Sequence, residues 1–193
     1  MVAASFEVYG EPITILYQFT EETTQYTPQS GAIQPIENNI AEAAPAEILP
    51  TVHPDIKPQY TFENFVQGDN NQWAKAAALA VSDNLGGLYN PLFIFGGPGL
   101  GKTHILNAIG NKVLSDNPHA RIKYVSSETF INDFLKHLQL NDMDSFKKTY
   151  RNLDLLLIDD IQSLKNKAST QEEFFNTFNA LHTQDKQIVL TSD

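Results

Sequence analysis

The residues best suited to chemistry lie in one glycine-rich stretch, residues 96–103, with the sequence GGPGLGKT. Its spacing fits G-x-x-x-x-G-K-[ST], in which glycines allow a tight turn whose backbone N–H groups point at an anion. Lys102 can reach the β- and γ-phosphates of a nucleotide, and the Thr103 hydroxyl can bind Mg²⁺. An apolar run precedes the stretch and a helical pattern follows it, so the sequence predicts a phosphate-binding loop between a strand and a helix.

A second chemical pattern is the apolar run of residues 155–160, LLLIDD, which ends in two acids. Asp159 would hold the coordination shell of Mg²⁺ through water, and Asp160 would orient a water molecule towards the γ-phosphate. The pattern alone is weak, because buried strands often end in a capping aspartate. Its position about fifty-six residues after Lys102, with strands and helices between, indicates a nucleotide site.

These residues need a sheet to bring them together, and the chain supplies the pattern for one. Apolar runs predict strands over residues 92–95, 122–125, 155–160 and 188–193, with helical spacing between them. Alternating strands and helices predict an α/β fold, a parallel sheet with helices on both faces. The carboxyl ends of the strands would then collect the phosphate loop, the acidic pair and Asp193 at one edge.

Local signals predict where the helices begin. Asn70 or Asn71 is expected to cap the first helix, and Ser126 or Ser127 a later one. Residues 169–172, STQE, resemble a capping box for the last helix. The apolar face expected of the first helix comprises Trp73, Ala76, Ala77, Ala80 and Val81.

Composition divides the chain into three expected parts. Residues 1–19 contain one alternating strand pattern over residues 13–19, which indicates the remnant of a larger N-terminal domain. Residues 20–58 are rich in proline and acids and predict a flexible linker, with a packed loop as the alternative. The nucleotide-binding core is expected over residues 59–193.

Charge and residue usage exclude several classes of protein. The net charge of −10 argues against gripping duplex DNA by bulk positive charge, although residues 1–57 hold eight of the 23 acids and only one base. There is no cysteine, so disulfides and thiolate metal sites are excluded. No apolar run approaches the length of a membrane span and no signal peptide is evident, so the expected location is the cytoplasm.

Five stretches together resemble the DnaA family of bacterial chromosomal replication initiators, which belong to the AAA+ ATPase class. They are YTFENFVQG at residues 60–68, YNPLFIFGGPGLGKTH at 89–104, YVSSETF at 124–130, LIDDIQ at 157–162 and LTSD at 190–193. The resemblance covers residues 60–193 nearly without a break and extends more weakly to residues 1–19. It implies the P-loop NTPase fold of AAA+ proteins and binding of ATP or ADP with Mg²⁺.

The resemblance also implies roles for individual residues. Phe65 and Val66 would lie beside the adenine, and Asp193 would sense the γ-phosphate. The nucleotide phosphates would be bound by Gly96, Gly97, Gly99, Leu100, Gly101, Lys102 and Thr103. Helices over residues 127–150 match the segment with which initiators hold single-stranded DNA, and the candidate contacts are Leu135, Lys136 and Lys167.

The implied function is initiation of DNA replication, with ATP acting mainly as an assembly switch and hydrolysed weakly. The implied partners are origin DNA, further copies of the chain, the replicative helicase through the N-terminal domain, and acidic phospholipids. Duplex origin boxes would be bound only by a full-length form. Nothing in the sequence matches the family's lid, arginine finger or C-terminal helix-turn-helix, so the chain is expected to be a fragment.

Two alternatives stay open at this level. A helicase loader would share the phosphate loop and the acidic pair, although residues 126–128 and 159–162 favour an initiator. A non-catalytic ATP-binding module is the other alternative.

Overall fold

The computed structural model describes residues 2–8, 11–17, 53–68 and 71–193, which fall into two compact units, Met1–Ala46 and Glu47–Asp193. In the first unit, strands β1 (Val2–Val8) and β2 (Glu11–Tyr17) pair antiparallel, with Val8 opposite Glu11. The sequence predicts only one strand here, over residues 13–19. The first strand was missed because its alanines at positions 3 and 4 weaken the alternation of large apolar residues.

The second unit contains four strands and five α-helices among its described residues. The elements are α1 (Gln72–Asp83), β3 (Leu92–Phe95), α2 (Lys102–Asp116), β4 (Ile122–Ser126), α3 (Ser127–Gln139), α4 (Met143–Arg151), β5 (Leu155–Asp159), a 3₁₀ helix (Ile161–Leu164), α5 (Ala168–His182) and β6 (Gln187–Ser192). The strands form a parallel sheet in the order β3-β6-β5-β4, which confirms the predicted α/β fold. None of the described helices is long and apolar enough to cross a membrane.

Helices cover both faces of this sheet, as the sequence predicts. Alternate side chains of β5 enter different groups of buried residues: Leu155 and Leu157 pack with α1 and α2, and Leu156 and Ile158 pack with α3, α4 and α5. Every residue of β5 is buried, which is why its sequence is continuously apolar up to Asp159. The buried strand therefore places the Asp159 carboxylate at the edge of the sheet.

The predicted apolar face of α1 is confirmed only in part: Val81 is buried and Ala77 packs partly buried against the core, but the other three residues are exposed. Trp73 is 77% exposed and Ala76 and Ala80 are also exposed, whereas the buried residues are Ala78, Val81 and Ser82. Four of the five residues at positions 74–78 are alanine, so the hydrophobicity of the helix is similar on every side. The sequence pattern therefore could not define one apolar face. Packing against α2 and β3 decides the orientation instead.

The predicted helix starts are confirmed in one case and corrected in two. Ser126 caps α3 by accepting a hydrogen bond from the Thr129 N–H at 3.1 Å. Asn71 stands at the start of α1, but its side chain bonds back to the Gly68 N–H at 2.8 Å and does not cap; Asn70 lies outside the described residues. The predicted capping box over residues 169–172 is wrong because α5 already begins at Ala168.

Residues before position 59 pack on α2. Ile56 is 3% exposed and lies against Gly110, where an added Cβ would come within 2.6 Å of its Cδ1. The Lys57 N–H donates to Asn107 Oδ1 at 2.9 Å, and Asn111 Nδ2 donates to the Tyr60 carbonyl at 2.7 Å. The end of the predicted linker therefore contributes to the core, while residues 20–52 lie outside the described part of the chain.

Candidate functional site

A cavity of about 370 Å³ opens where the carboxyl ends of the strands meet the start of α2. Its lining includes Tyr60, Pro98, Gly99, Gly101, Lys102, Thr103, His104, Asp160 and Asp193. The phosphate-loop residues, one of the two adjacent acids and the end of β6 thus meet at one cavity. The parallel sheet causes this convergence, because all four strands end at the same edge.

The loop reaches this position through two glycines in the left-handed conformation. Gly99 has a φ of 77° and Gly101 a φ of 89°, backbone angles that residues other than glycine rarely adopt. Gly101 is also close to a neighbour, since an added Cβ would lie 2.8 Å from Phe65 Cε2. Helix α2 begins immediately afterwards, with the Ile105 N–H bonded to the Gly101 carbonyl at 2.9 Å. The positive end of the helix dipole therefore faces the cavity.

Lys102 is almost completely buried, at 8% exposure, and its ammonium group has three acceptors. Nζ donates to the carbonyls of Gly96 at 2.5 Å and Gly97 at 3.0 Å, and it forms an ion pair with Asp193. Asp193 is 45% exposed, so this pair lies at the mouth of the cavity. An anion that enters the cavity competes with the Asp193 carboxylate for the ammonium group.

Asp159 lies behind the loop at 4% exposure, and three hydroxyl groups surround it. Its Oδ2 accepts hydrogen bonds from Thr103 Oγ1 at 2.6 Å and from the Tyr124 hydroxyl at 3.0 Å, and its Oδ1 accepts one from Thr191. Burial raises the pKa of Tyr124 well above its usual range, and the negative charge of Asp159 adds to the effect, so the phenol stays a donor.

Asp160 has a φ of 57°, a left-handed conformation in a residue that is not glycine. Its N–H donates to Thr191 Oγ1 at 3.1 Å, and its carbonyl accepts a hydrogen bond from Ser127 Oγ at 2.5 Å. Gln162 lies beside it, with Nε2 3.5 Å from Asp160 Oδ1 and with Oε1 accepting from the Asp193 N–H at 3.3 Å. Gln162 therefore connects the ends of β5 and β6.

Sequence reasoning gave no site role to four of these side chains: Tyr124, Ser127, Gln162 and Thr191. Their residue types are common and no spacing rule singles them out. The pairing of β4 with β5 and of β5 with β6 brings Tyr124, Ser127 and Thr191 to the two acids, whereas Gln162 follows Asp160 by two residues in the chain. The available signal was their place inside the quoted stretches 124–130, 157–162 and 190–193.

The two residues expected beside an adenine lie in different environments. Phe65 is buried beneath Gly101 and contacts His104 edge-on, with ring centroids 5.2 Å apart. Val66 is 85% exposed, and Leu100 of the loop is 57% exposed. Tyr60 lines the cavity, and its ring lies 4.9 Å from that of His104.

The three residues expected to contact DNA lie apart from this cavity's lining. Leu135, on α3, is 43% exposed, and its neighbour Lys136 is exposed. Lys167 is exposed immediately before α5. Among the described residues, no cluster of three or more His, Cys, Asp or Glu side chains could hold a metal.

Comparison with known proteins assigns the second unit to the family that its sequence resembles. Residues 56–193 match the model of the bacterial DnaA ATPase domain. The chromosomal replication initiator protein DnaA of Streptococcus mutans is 60% identical over the whole of this chain, which spans 42% of that relative's length.

Solved structures of DnaA proteins are also similar to this chain. Domain III of the Thermotoga maritima DnaA superposes with a TM-score of 0.69 at 49% identity, over 72% of this chain and 57% of that one. A DnaA structure bound to AMPPCP and single-stranded DNA gives 0.68 at 43% identity, over 72% and 43% of the two chains. The DnaC helicase loader, with a TM-score of 0.62, shares only the fold at 18% identity, over 69% and 76%. The family match covers the residues that form the glycine-rich loop and the acidic end of β5. This chain therefore belongs to the bacterial DnaA ATPase-domain family.

Proposed function

We propose that this chain is the ATP-binding core of a bacterial replication initiator, which assembles on the chromosomal origin and promotes unwinding of the duplex. The observation that carries the proposal is the convergence of Lys102, Thr103 and Asp160 on one cavity, with Asp159 bonded to Thr103 directly behind it. The similarity to an initiator bound to AMPPCP and single-stranded DNA supports the choice of ligands. We assign the activity to the cytoplasm, where a bacterial chromosome is replicated.

In this proposal the loop binds the phosphates of ATP. The backbone of residues 96–101 and the start of α2 supply N–H donors, and the Lys102 ammonium exchanges Asp193 for phosphate oxygens. Asp193 is thereby released to respond to the γ-phosphate. The adenine would lie on the side of the cavity marked by Tyr60, in the segment that also contains Phe65 and Val66.

The side chains of Thr103 and Asp159 fit Mg²⁺, which prefers oxygen ligands and is usually held by one or two carboxylates together with phosphates. Their oxygens already lie 2.6 Å apart, on a hydroxyl and a buried carboxylate. Bound there, the ion would neutralise charge that develops on the phosphates. We therefore assign Thr103 and Asp159 to the metal.

We propose that the same arrangement hydrolyses ATP weakly. Asp160 orients a water molecule and accepts its proton as the water oxygen bonds to the γ-phosphorus; the bond from that phosphorus to the β–γ bridging oxygen breaks, and ADP and inorganic phosphate leave. Asp160 lines the cavity, whereas Asp159 lies deeper, which supports the division of roles between the two acids.

Nucleotide binding is tested by Lys102→Met, which removes the ammonium group and keeps most of the buried aliphatic stem. In this variant Asp193 loses the Lys102 ammonium as its partner. Because Asp193 is 45% exposed, water can hydrogen-bond its carboxylate instead, so we expect the variant to fold. We expect calorimetric titration with ATP and Mg²⁺ to show at least an approximately hundredfold loss of affinity, the value of removing one charged contact of about 3 kcal/mol. Lys75→Ala on α1 is the control and should bind normally; unchanged affinity for Lys102→Met would contradict the proposal.

We further propose that single-stranded DNA binds along α3 and the start of α5. The exposure of Leu135, Lys136 and Lys167 supports this, since each is available to a ligand. Each lysine that contacts a phosphate contributes about −0.7 to the slope of log affinity against log salt, whereas an apolar contact contributes none.

The test is fluorescence anisotropy with a labelled oligonucleotide over a salt series. Lys136→Ala and Lys167→Ala should each weaken binding and flatten the slope by about 0.7. Leu135→Ala should weaken binding at an unchanged slope, and Lys75→Ala should change neither. Equal slopes for all four variants would refute the proposed DNA surface.

The remaining partners follow from the family and belong to the same proposal. They are self-association of several copies on the origin, the replicative helicase, and acidic phospholipids. Analytical ultracentrifugation with ATP and with ADP tests the first: assembly that depends on ATP supports the switch, and assembly that is equal with both nucleotides contradicts it.

A further inference from the structure

The backbone of Asp160 has a conformation that needs support. Its φ of 57° lies in the left-handed region, which is unfavourable for a residue with a Cβ. Two hydroxyl groups hold the residue from opposite sides: the Asp160 N–H donates to Thr191 Oγ1 at 3.1 Å, and Ser127 Oγ donates to the Asp160 carbonyl at 2.5 Å. Residues held in such conformations persist where their surroundings determine them.

Ser127 is fully buried, and its hydroxyl has no capping task in its own helix. The neighbouring Ser126 caps α3 by accepting from the Thr129 N–H at 3.1 Å. The Ser127 hydroxyl instead crosses to a carbonyl 33 residues away in the sequence. Two adjacent serines thus have different functions: Ser126 caps the start of α3, and Ser127 holds the backbone of Asp160.

We propose that Ser127 is a positioning residue that holds Asp160 in the left-handed conformation from which its carboxylate faces the cavity. The inference rests on the proposed function, in which that carboxylate orients the attacking water. Asp160 lines the cavity and is partly exposed, whereas Ser127 is buried, so Ser127 acts through Asp160 and does not touch the nucleotide. Because Ser127 belongs to α3, a shift in the first turn of α3 acts directly on the Asp160 backbone.

The first experiment separates binding from hydrolysis in Ser127→Ala. With protein in excess over radiolabelled ATP, we expect the single-turnover rate to fall by at least about tenfold, part of what a correctly placed base contributes. The dissociation constant for ATP should stay within about threefold of that of the unchanged protein, since the phosphate loop is not touched.

Ser126→Ala is the matched control, because it removes the neighbouring hydroxyl and leaves Asp160 alone. Both variants should unfold at lower urea concentration, but only Ser127→Ala should lose hydrolysis. In an Asp160→Asn background, adding Ser127→Ala should reduce the rate little further, because the group through which it acts is already altered.

A second measurement does not depend on nucleotide. The Asp160 amide is bonded to Thr191, which is itself fully buried, so its hydrogen exchange reports how firmly the backbone is held. We expect exchange at this amide to accelerate at least about tenfold in Ser127→Ala and to stay unchanged in Ser126→Ala.

Three results would overturn the inference: an unchanged hydrolysis rate in Ser127→Ala, equal losses in the two serine variants, or full additivity with Asp160→Asn. Failure of the proposed function looks different, because the unchanged protein would then not bind ATP. Normal ATP binding together with normal hydrolysis in Ser127→Ala would remove only the role assigned to Ser127.

Discussion

The glycines of the phosphate loop allow a quantitative test, because alanine at three positions meets three different constraints. At Gly97 the backbone is not left-handed and an added Cβ has no atom within 4 Å. At Gly99 the φ is 77° and the space is again open. At Gly101 the φ is 89° and the added Cβ lies 2.8 Å from the Phe65 ring. The series therefore separates the backbone cost from the packing cost.

The expected losses follow from these constraints. Gly97→Ala should change the free energy of unfolding by less than about 0.5 kcal/mol, because it creates no strain. Gly99→Ala should cost about 1 kcal/mol, the penalty for a Cβ in the left-handed region. Gly101→Ala adds an overpacking cost of about 1–3 kcal/mol, since Phe65 is 7% exposed and has little room to move, so its total should be about 2–4 kcal/mol.

The packing cost can be isolated with a second substitution. Phe65→Leu shortens the side chain that the new Cβ would meet, and on its own it should cost about 1–2 kcal/mol as a large-to-small change in the core. Combined with Gly101→Ala, it should relieve the clash, so that the double variant is more stable than the sum of the two losses predicts by at least about 1 kcal/mol. Phe65→Leu with Gly99→Ala is the control and should be additive.

The assay is urea unfolding followed by far-ultraviolet circular dichroism, with the free energy extrapolated to water. The order Gly97, Gly99, Gly101 in rising cost supports the geometry of the loop. Equal costs at Gly99 and Gly101, or additivity of Gly101→Ala with Phe65→Leu within about 0.5 kcal/mol, would refute the close approach of Phe65 to the loop.

Two further predictions concern stability. Arg121 holds the pKa of Asp154 well below its usual range, so the pair stabilises the fold above the unfolded-state pKa of about 3.9 and loses this effect as the pH falls through the depressed value. Asp154→Asn should therefore cost about 1 kcal/mol at pH 7, and the difference from the unchanged protein should shrink below pH 4 in urea unfolding; a pH-independent difference would contradict the assignment. Ile56→Ala should cost about 2–4 kcal/mol because Ile56 is buried against Gly110, whereas the exposed Val66→Ala should cost less than about 0.5 kcal/mol. Similar costs at the two positions would show that residues before position 59 do not belong to the core.

Local sequence patterns were sufficient for the parts of this protein whose structure depends on near neighbours. Strand β3 was predicted over its observed residues, 92–95, because a short apolar run before a glycine loop has few alternatives. The cap at Ser126 also depends on residues within one turn of the chain. The phosphate loop and the two acids could be proposed for the same reason, since their residue types and spacing reflect the chemistry directly.

Tertiary structure decided everything that depends on contacts between distant residues. The strand order places β6 between β3 and β5, and this alone brings Asp193 to Lys102, 91 residues away. Likewise, Ser127 and Thr191 meet the Asp160 backbone only because β4 and β6 flank β5. No periodicity records such pairings, since a hydroxyl side chain has the same propensity whether it caps a helix, faces water or holds a carboxylate's backbone in place. Residue types and their spacing therefore indicate which groups of this protein could bind a nucleotide, and the sheet decides which side chains hold those groups in position.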